Sequence, residues 1–145
     1  MPKEVIDFIQ SQFLSVLAVE MMDGSPHAAT VHYAWNEVPL MFLFETCRAY
    51  RKSEALLGRP ESRATVVIGF DEANRKTLQM DGTVKLLETD TELLLFKKIY
   101  ISRFPKKEKT LRDPEFIFFS FTPKWWRYTD WESPGGKKIL SSENK

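Results

Sequence analysis

The chain has 145 residues, 43% hydrophobic and 28% charged, with a formal net charge of +1. That length suits one domain around one core. The balance of 21 bases and 20 acids excludes a global attraction for nucleic acid, and a lone cysteine excludes an intrachain disulfide or a Cys-rich zinc site. No apolar run approaches the roughly 20 residues that span a bilayer, and the start MPKEVIDFIQ lacks the basic region and cleavage site of a signal peptide. A cytoplasmic protein with neither membrane nor nucleic-acid partner is expected.

Residues 3–11 predict a short amphipathic helix, with Val5, Ile6 and Ile9 on one side and Phe8 nearby. FLSVLAVEM reads as a first strand, Asp23-Gly24 as a hairpin turn and HAATVHYAW as one returning strand. LMFLFE is a third strand, apolar on both faces and so buried on both. RAYRKSEALLGRP follows as a short helix, with Tyr50, Leu56 and Leu57 turned to the core and Gly58 and Pro60 stopping it. SRATVVIGF is the fourth strand. KTLQMDGTVKLLE is the fifth, with Leu78, Met80, Val84 and Leu86 on one face and Gly82 marking a bulge or bend. Thr89 and Glu92 form a capping-box pattern that opens a helix through about Arg103, and KKEK after Pro105 reads as a solvated loop. EFIFFSF and PKWWRYTDW are the sixth and seventh strands, and a polar, flexible tail begins at about 133. No repeat or second-domain boundary interrupts residues 1–145. Hairpin links and close strand spacing predict a mainly β fold, an antiparallel barrel with short helices outside.

His27 and His32 lie five apart on one predicted strand, so they face opposite ways and cannot share a metal. No metal site is expected. HExxH, GxSxG, P-loop and GxGxxG patterns are absent, which removes support for hydrolases, nucleotide kinases and Rossmann dehydrogenases. No catalytic residue can be assigned. Thr46, Arg48, Arg51, Lys52 and Ser53 gather hydroxyls and positive charge where a strand runs into a helix. A phosphate needs several donors and cations at once; the other reading is an exposed basic face paired with Glu54 or Glu61. Cys47 is either a small packing residue or a thiol activated by these cations. Trp125 and Trp126 put indoles on both faces of one strand, with Trp131 close behind. One face can meet the barrel, the other a partner subunit or a flat ligand ring.

The stretches SVLAVEMMDGSPHAATVHYAW, LMFLFETCRAYRKSEALLGRPESRATVVI and LQMDGTVKLL, in that order and spacing, resemble the pyridoxamine 5′-phosphate oxidase-like family of FMN-binding split barrels. The YTDWESPGGK end is similar to small members of the general-stress or FMN-binding type. The resemblance implies a six-stranded antiparallel Greek-key split barrel with flanking short helices, and a homodimer with two FMN sites at its interface. It carries flavin phosphate binding onto Arg51, Lys52 and Thr46, with Arg48 beside them. The ring is carried onto His27, Ala28, Ala29, Thr30 and Val31. Ring or ribityl contact falls to Thr77 or Gln79, and an aromatic cover to Trp126, Trp131 or Trp125. Pyridoxamine phosphate oxidases carry an Arg-x-His segment near the C-terminus; here Arg127-Tyr128-Thr129 has no histidine, so oxidation of that vitamer is not expected. The expected function is an FMN-dependent oxidoreductase acting on an unknown small molecule. The alternatives are a non-catalytic flavin-binding module for storage or sensing, or a relative that binds haem or the deazaflavin F420.

Overall fold

The computed structural model describes residues 1–69 and 71–143. Helix α1 (Lys3–Ser11) buries Val5, Phe8 and Ile9; Val5 and Ile9 face inward as predicted, while Phe8 takes the place of Ile6, which is only half-buried. Strands β1 (Leu14–Glu20) and β2 (Pro26–His32) form a hairpin running from Leu14↔His32 to Glu20↔Pro26. At its turn the Asp23 carboxylate accepts bonds from the Ser25 N–H at 2.9 Å and the Ser25 hydroxyl at 2.5 Å. The returning strand does not run on as one unit. It breaks at Tyr33, and β3 (Ala34–Asn36) leaves β1 to pair with β4 (Met41–Cys47). Tyr33 is fully buried, and its N–H goes to the Phe13 carbonyl at 3.1 Å.

Strands β5 (Ser62–Ile68), β6 (Lys76–Leu86), β7 (Phe116–Asp130) and β8 (Lys138–Ser141) complete an antiparallel sheet in the order β2-β1-β5-β6-β7-β4-β3, with β8 added to β7. The two ends of that order, β2 and β3, are joined through the single residue Tyr33. The sheet therefore curls on itself into a split barrel. Six long strands make the frame, and β3 and β8 are short additions.

Two sequence readings around β7 are corrected. The sixth and seventh strands are one 15-residue strand. It survives Pro123 because a β-bulge lies there: Asp81 faces Trp125 and Gly82 faces Pro123, leaving Lys124 as the extra residue. Gly82 is required, since a Cβ there would sit 2.1 Å from the Thr122 carbonyl oxygen. The polar tail also contributes structure, because β8 pairs with the second half of β7 from Arg127↔Ser141 to Asp130↔Lys138. Leu140 packs on the barrel core, and Lys138 Nζ meets Glu4 on α1 at 2.5 Å.

The barrel interior holds Leu17, Val19, Phe42, Phe44, Val66, Ile68, Leu78, Met80, Phe119 and Phe121. Helix α1 closes the end near Tyr128, where Phe8 lies 5.6 Å from the Tyr128 ring. Helix α2 (Ser53–Gly58) closes the other end with Ala55 and Leu56. It is shorter than its sequence suggests: residues 48–52 form a turn, and Tyr50 and Leu57 are exposed rather than inward. A second core lies outside β4 and β7, where Phe96, Tyr100 and Phe118 stack. Helix α3 (Asp90–Phe96) supplies it and continues as a π-helical turn, Lys97–Ile101. This explains why β4 and the first half of β7 are covered on both faces. The KKEK segment is not a free loop but part of a 3-10 helix, Pro105–Arg112, held by Glu45. The Glu45 carboxylate takes the Thr110 hydroxyl at 2.5 Å and the Lys107 ammonium at 3.1 Å. No helix among the described residues is long and apolar enough to cross a membrane.

Candidate functional site

The chain leaves β4 at Cys47 and turns at once into α2. Two bonds converge on the Cys47 carbonyl, from the Tyr50 N–H at 3.1 Å and the Ser53 hydroxyl at 2.8 Å. A third, from the Ser53 N–H to the Tyr50 carbonyl at 3.0 Å, tightens the same turn. The turn leaves two polar groups without protein partners. Thr46, at the end of β4, is 5% exposed, and its buried Oγ1 has no hydrogen-bond partner. Lys52 is 6% exposed and has no carboxylate partner among the described residues. Its ammonium lies 4.7 Å from the Tyr50 ring centroid. Burial pulls the Lys52 ammonium below the usual lysine range, against a smaller opposing pull from Cys47.

Arg51 is exposed in this turn, and its charge reaches the β1–β2 hairpin. There the Asp23 carboxylate is held below its usual range, chiefly by its bonds from Ser25 and to a lesser degree by Arg51. Arg59 clamps α2 to the same hairpin: its guanidinium donates to the Glu20 carbonyl and to the Met21 carbonyl at 3.0 Å, and to Ser62 Oγ at 2.7 Å. The sequence reading missed Arg59, because its partners lie on a strand 38 or 39 residues away. Arg48 is turned elsewhere, with its Nε on the Pro114 carbonyl at 3.3 Å. The helix that follows has only six residues, so a helix-terminus field adds little. Any anion held at this turn would be held by side chains.

The other predicted residues divide. His27, Ala29 and Val31 pair with Val19, Leu17 and Ser15 on the inner face of the hairpin, while Ala28 and Thr30 are exposed on the outer face. His32 is also outward, 5.5 Å from the Phe104 ring. The two histidines thus stand on opposite faces. Gln79 Oε1 accepts from Arg127 at 3.2 Å. Trp126 packs against the barrel core, whereas Trp131 is 43% exposed. Trp131 and Thr77 line a cleft of about 500 Å³ together with Gly69, Arg75 and Lys76. Thr46 pairs with Ile117 and Thr77 with Thr129, twelve positions further along β7. At about 3.3 Å per residue that is roughly 40 Å of strand path. The phosphate-type turn and the Thr77–Trp131 cleft therefore occupy opposite ends of one barrel. The outer sheet face between them carries a larger cleft of about 680 Å³, where the Thr65 hydroxyl bonds Asp81 at 3.0 Å and Arg63 pairs with Glu20.

The sequence model of the pyridoxamine 5′-phosphate oxidase family matches residues 1–130. The chain belongs to this family. None of the curated proteins matches it in sequence. Among solved structures, it is similar to a Clostridium acetobutylicum protein related to general stress protein 26, at 15% identity and a TM-score of 0.68, covering 97% of this chain and 94% of that one. A haem-binding protein from Mycobacterium smegmatis is similar at 16% identity and a TM-score of 0.73, covering 94% of this chain and 55% of that one. A pyridoxamine 5′-phosphate oxidase-related, FMN-binding protein from Nostoc punctiforme gives 14% identity and a TM-score of 0.66, with 96% and 86% covered. At such identities these structures establish the split-barrel fold alone. In this pyridoxamine 5′-phosphate oxidase family member the segment Arg127-Tyr128-Thr129 is committed to the barrel. Arg127 lies 5.7 Å over the Trp125 ring, and Tyr128 is buried, its hydroxyl pushed up to about 12 by burial, then by Asp130 and Glu4.

Proposed function

We propose that the chain binds flavin mononucleotide, with the phosphate held by the Thr46–Ser53 turn, and that it acts as a flavin-dependent oxidoreductase on a small molecule. The observation that carries this reading is a buried, unpartnered Thr46 Oγ1 within one turn of a buried Lys52 that has no acid. Leaving a buried hydroxyl unbonded and a largely buried lysine side chain unpaired is costly unless a ligand answers both. An anion with several acceptor oxygens does so, and Arg51 at the rim adds a second cation. On the outer face of β2 the small side chains of Ala28 and Thr30 leave room for a flat ring. Flavin supplies the electron-transfer chemistry when bound, and the chain's own part is to hold and orient it.

The working form in this reading is a homodimer. A flavin seated at Thr46 and Lys52 of one protomer would then be covered by the Thr77–Trp131 end of the other, since one barrel holds these at its two ends. The missing histidine beside Arg127 argues against pyridoxamine phosphate as the substrate. The test is a visible absorption spectrum of the purified protein, before and after FMN is added and the excess dialysed away. Retained flavin absorbance with turnover of NAD(P)H supports the enzyme. Retained flavin without turnover supports a binding module. A Soret band with no flavin uptake replaces FMN by haem.

A further inference from the structure

Tyr50 stands inside the phosphate-type turn and is 59% exposed, so burial in the core does not account for its large ring. Its main chain is fixed at both ends: the N–H goes to the Cys47 carbonyl at 3.1 Å, and the carbonyl takes the Ser53 N–H at 3.0 Å. Its ring lies against Lys52, whose Nζ is 4.7 Å from the ring centroid. A ring face and a carboxylate both attract an ammonium, but they leave it in different states. A carboxylate neutralises the charge and competes with any other anion for it. A ring face attracts through its quadrupole, carries no net charge and covers one side, so the ammonium keeps its charge and its remaining donors. Lys52 has the ring and, among the described residues, no carboxylate.

We propose that Tyr50 is a positioning residue for the phosphate ligand: its ring holds the Lys52 ammonium in place without neutralising it, so that an incoming phosphate meets a lysine already placed and fully charged. This rests on the reading of the turn as a flavin phosphate site. The gain is one of preorganisation. A lysine stem free in solvent loses its rotamer freedom when an anion takes its ammonium, and that loss is subtracted from affinity. Here the ring has restricted the stem beforehand. A glutamate in place of Tyr50 would also hold the stem, but it would compete with the phosphate for the charge.

The first measurement needs no ligand. In protein carrying isotopically labelled lysine, the NMR signal of the Lys52 ε-methylene is identified by its loss in Lys52→Met. A ring face shields the protons above it, so Tyr50→Leu is expected to move that signal downfield and Tyr50→Phe to leave it shielded. In the second, the same signal is followed through titrations with inorganic phosphate and with FMN. Tyr50→Leu is expected to weaken both by about fivefold, and Tyr50→Phe to stay within about twofold of the parent. Tyr50→Glu is expected to weaken both more than Tyr50→Leu does, because its carboxylate takes the ammonium. A Lys52 signal that Tyr50→Leu does not move overturns the proposal. So does a Tyr50→Leu protein that binds phosphate within about twofold of the parent. If inorganic phosphate follows the expected pattern while FMN does not bind, the flavin reading falls and the role of Tyr50 stands for another phosphate ester. A parent protein that binds neither overturns both.

Discussion

Tyr33 donates its hydroxyl to the carbonyl oxygen of Ile9 at 2.6 Å, pinning the break between β2 and β3 to the last turn of α1. The ring is fully buried and packs edge-on against Phe42 at 5.7 Å. Burial pushes the phenol above its ordinary range, with Arg103 opposing, so it stays a donor at all ordinary pH. Tyr33→Phe keeps the ring and removes one buried bond. Urea unfolding is expected to show a loss of about 1–2 kcal/mol without a change of slope. A loss below about 0.3 kcal/mol would mean that this bond does not secure the hinge.

Gly82 offers a sharper test of the sheet. Its missing Cβ lets the Thr122 carbonyl approach, and the bulge that results carries Pro123 through the middle of a long strand. Gly82→Ala forces a 2.1 Å contact with backbone. The expected cost is about 2–4 kcal/mol, read as a lowered melting temperature. Lys124→Ala, on the extra residue of the same bulge, is expected to stay within about 0.5 kcal/mol of the parent.

Gly82 also shows what a sequence can disclose. A glycine inside the alternation of Leu78, Met80, Val84 and Leu86 announces a bulge locally, and the Thr89–Glu92 cap is equally local. The break at Tyr33 is not, because HAATVHYAW alternates without interruption and the hydroxyl's partner lies 24 residues earlier. The ordering of 138–141 depends on an edge of β7 that only the folded sheet presents. The site divides in the same way. Thr46, Arg51 and Lys52 stand together in the chain and were legible together. The loss of Arg48 to Pro114, 66 residues on, and the clamp by Arg59 were not. Nor could spacing alone reveal that Thr77 and Trp131 fall at the far end of the barrel from Thr46.

The start of α3 carries a pH dependence of known sign. Glu92 Oε1 accepts the Thr89 N–H at 3.1 Å, while Oε2 pairs with the Lys85 ammonium at 2.8 Å. Lys85 first, and the Thr89 backbone bond second, bring its carboxyl down from 4.5 to about 2. A carboxyl depressed in the folded state stabilises fully above its unfolded value and loses that contribution as the pH falls through the folded one. Glu92→Gln keeps the cap geometry but not the ion pair. It is expected to be less stable by about 0.5–1 kcal/mol at pH 7. The gap to the parent should close between pH 4.5 and about 2. Urea midpoints measured across that window check it, and a gap independent of pH would remove the ion pair from the account.

Lys52 separates binding from stability. Its depressed ammonium means that the folded chain holds this proton less tightly than the unfolded chain, so the charge opposes folding at neutral pH and the penalty eases as pH rises toward the lysine range. Lys52→Met removes an unpaired charge at the end of a largely buried side chain and keeps most of the stem's volume. The expected result is a fold at least as stable as the parent, by up to about 1 kcal/mol, together with a loss of FMN affinity of about a hundredfold. Arg51→Ala, at the exposed rim, should leave stability within about 0.5 kcal/mol and weaken FMN by about tenfold. A thermal melt and an FMN titration on the two variants decide the matter. A Lys52→Met protein that is less stable and still binds FMN as the parent does would make Lys52 a structural residue and move the phosphate elsewhere.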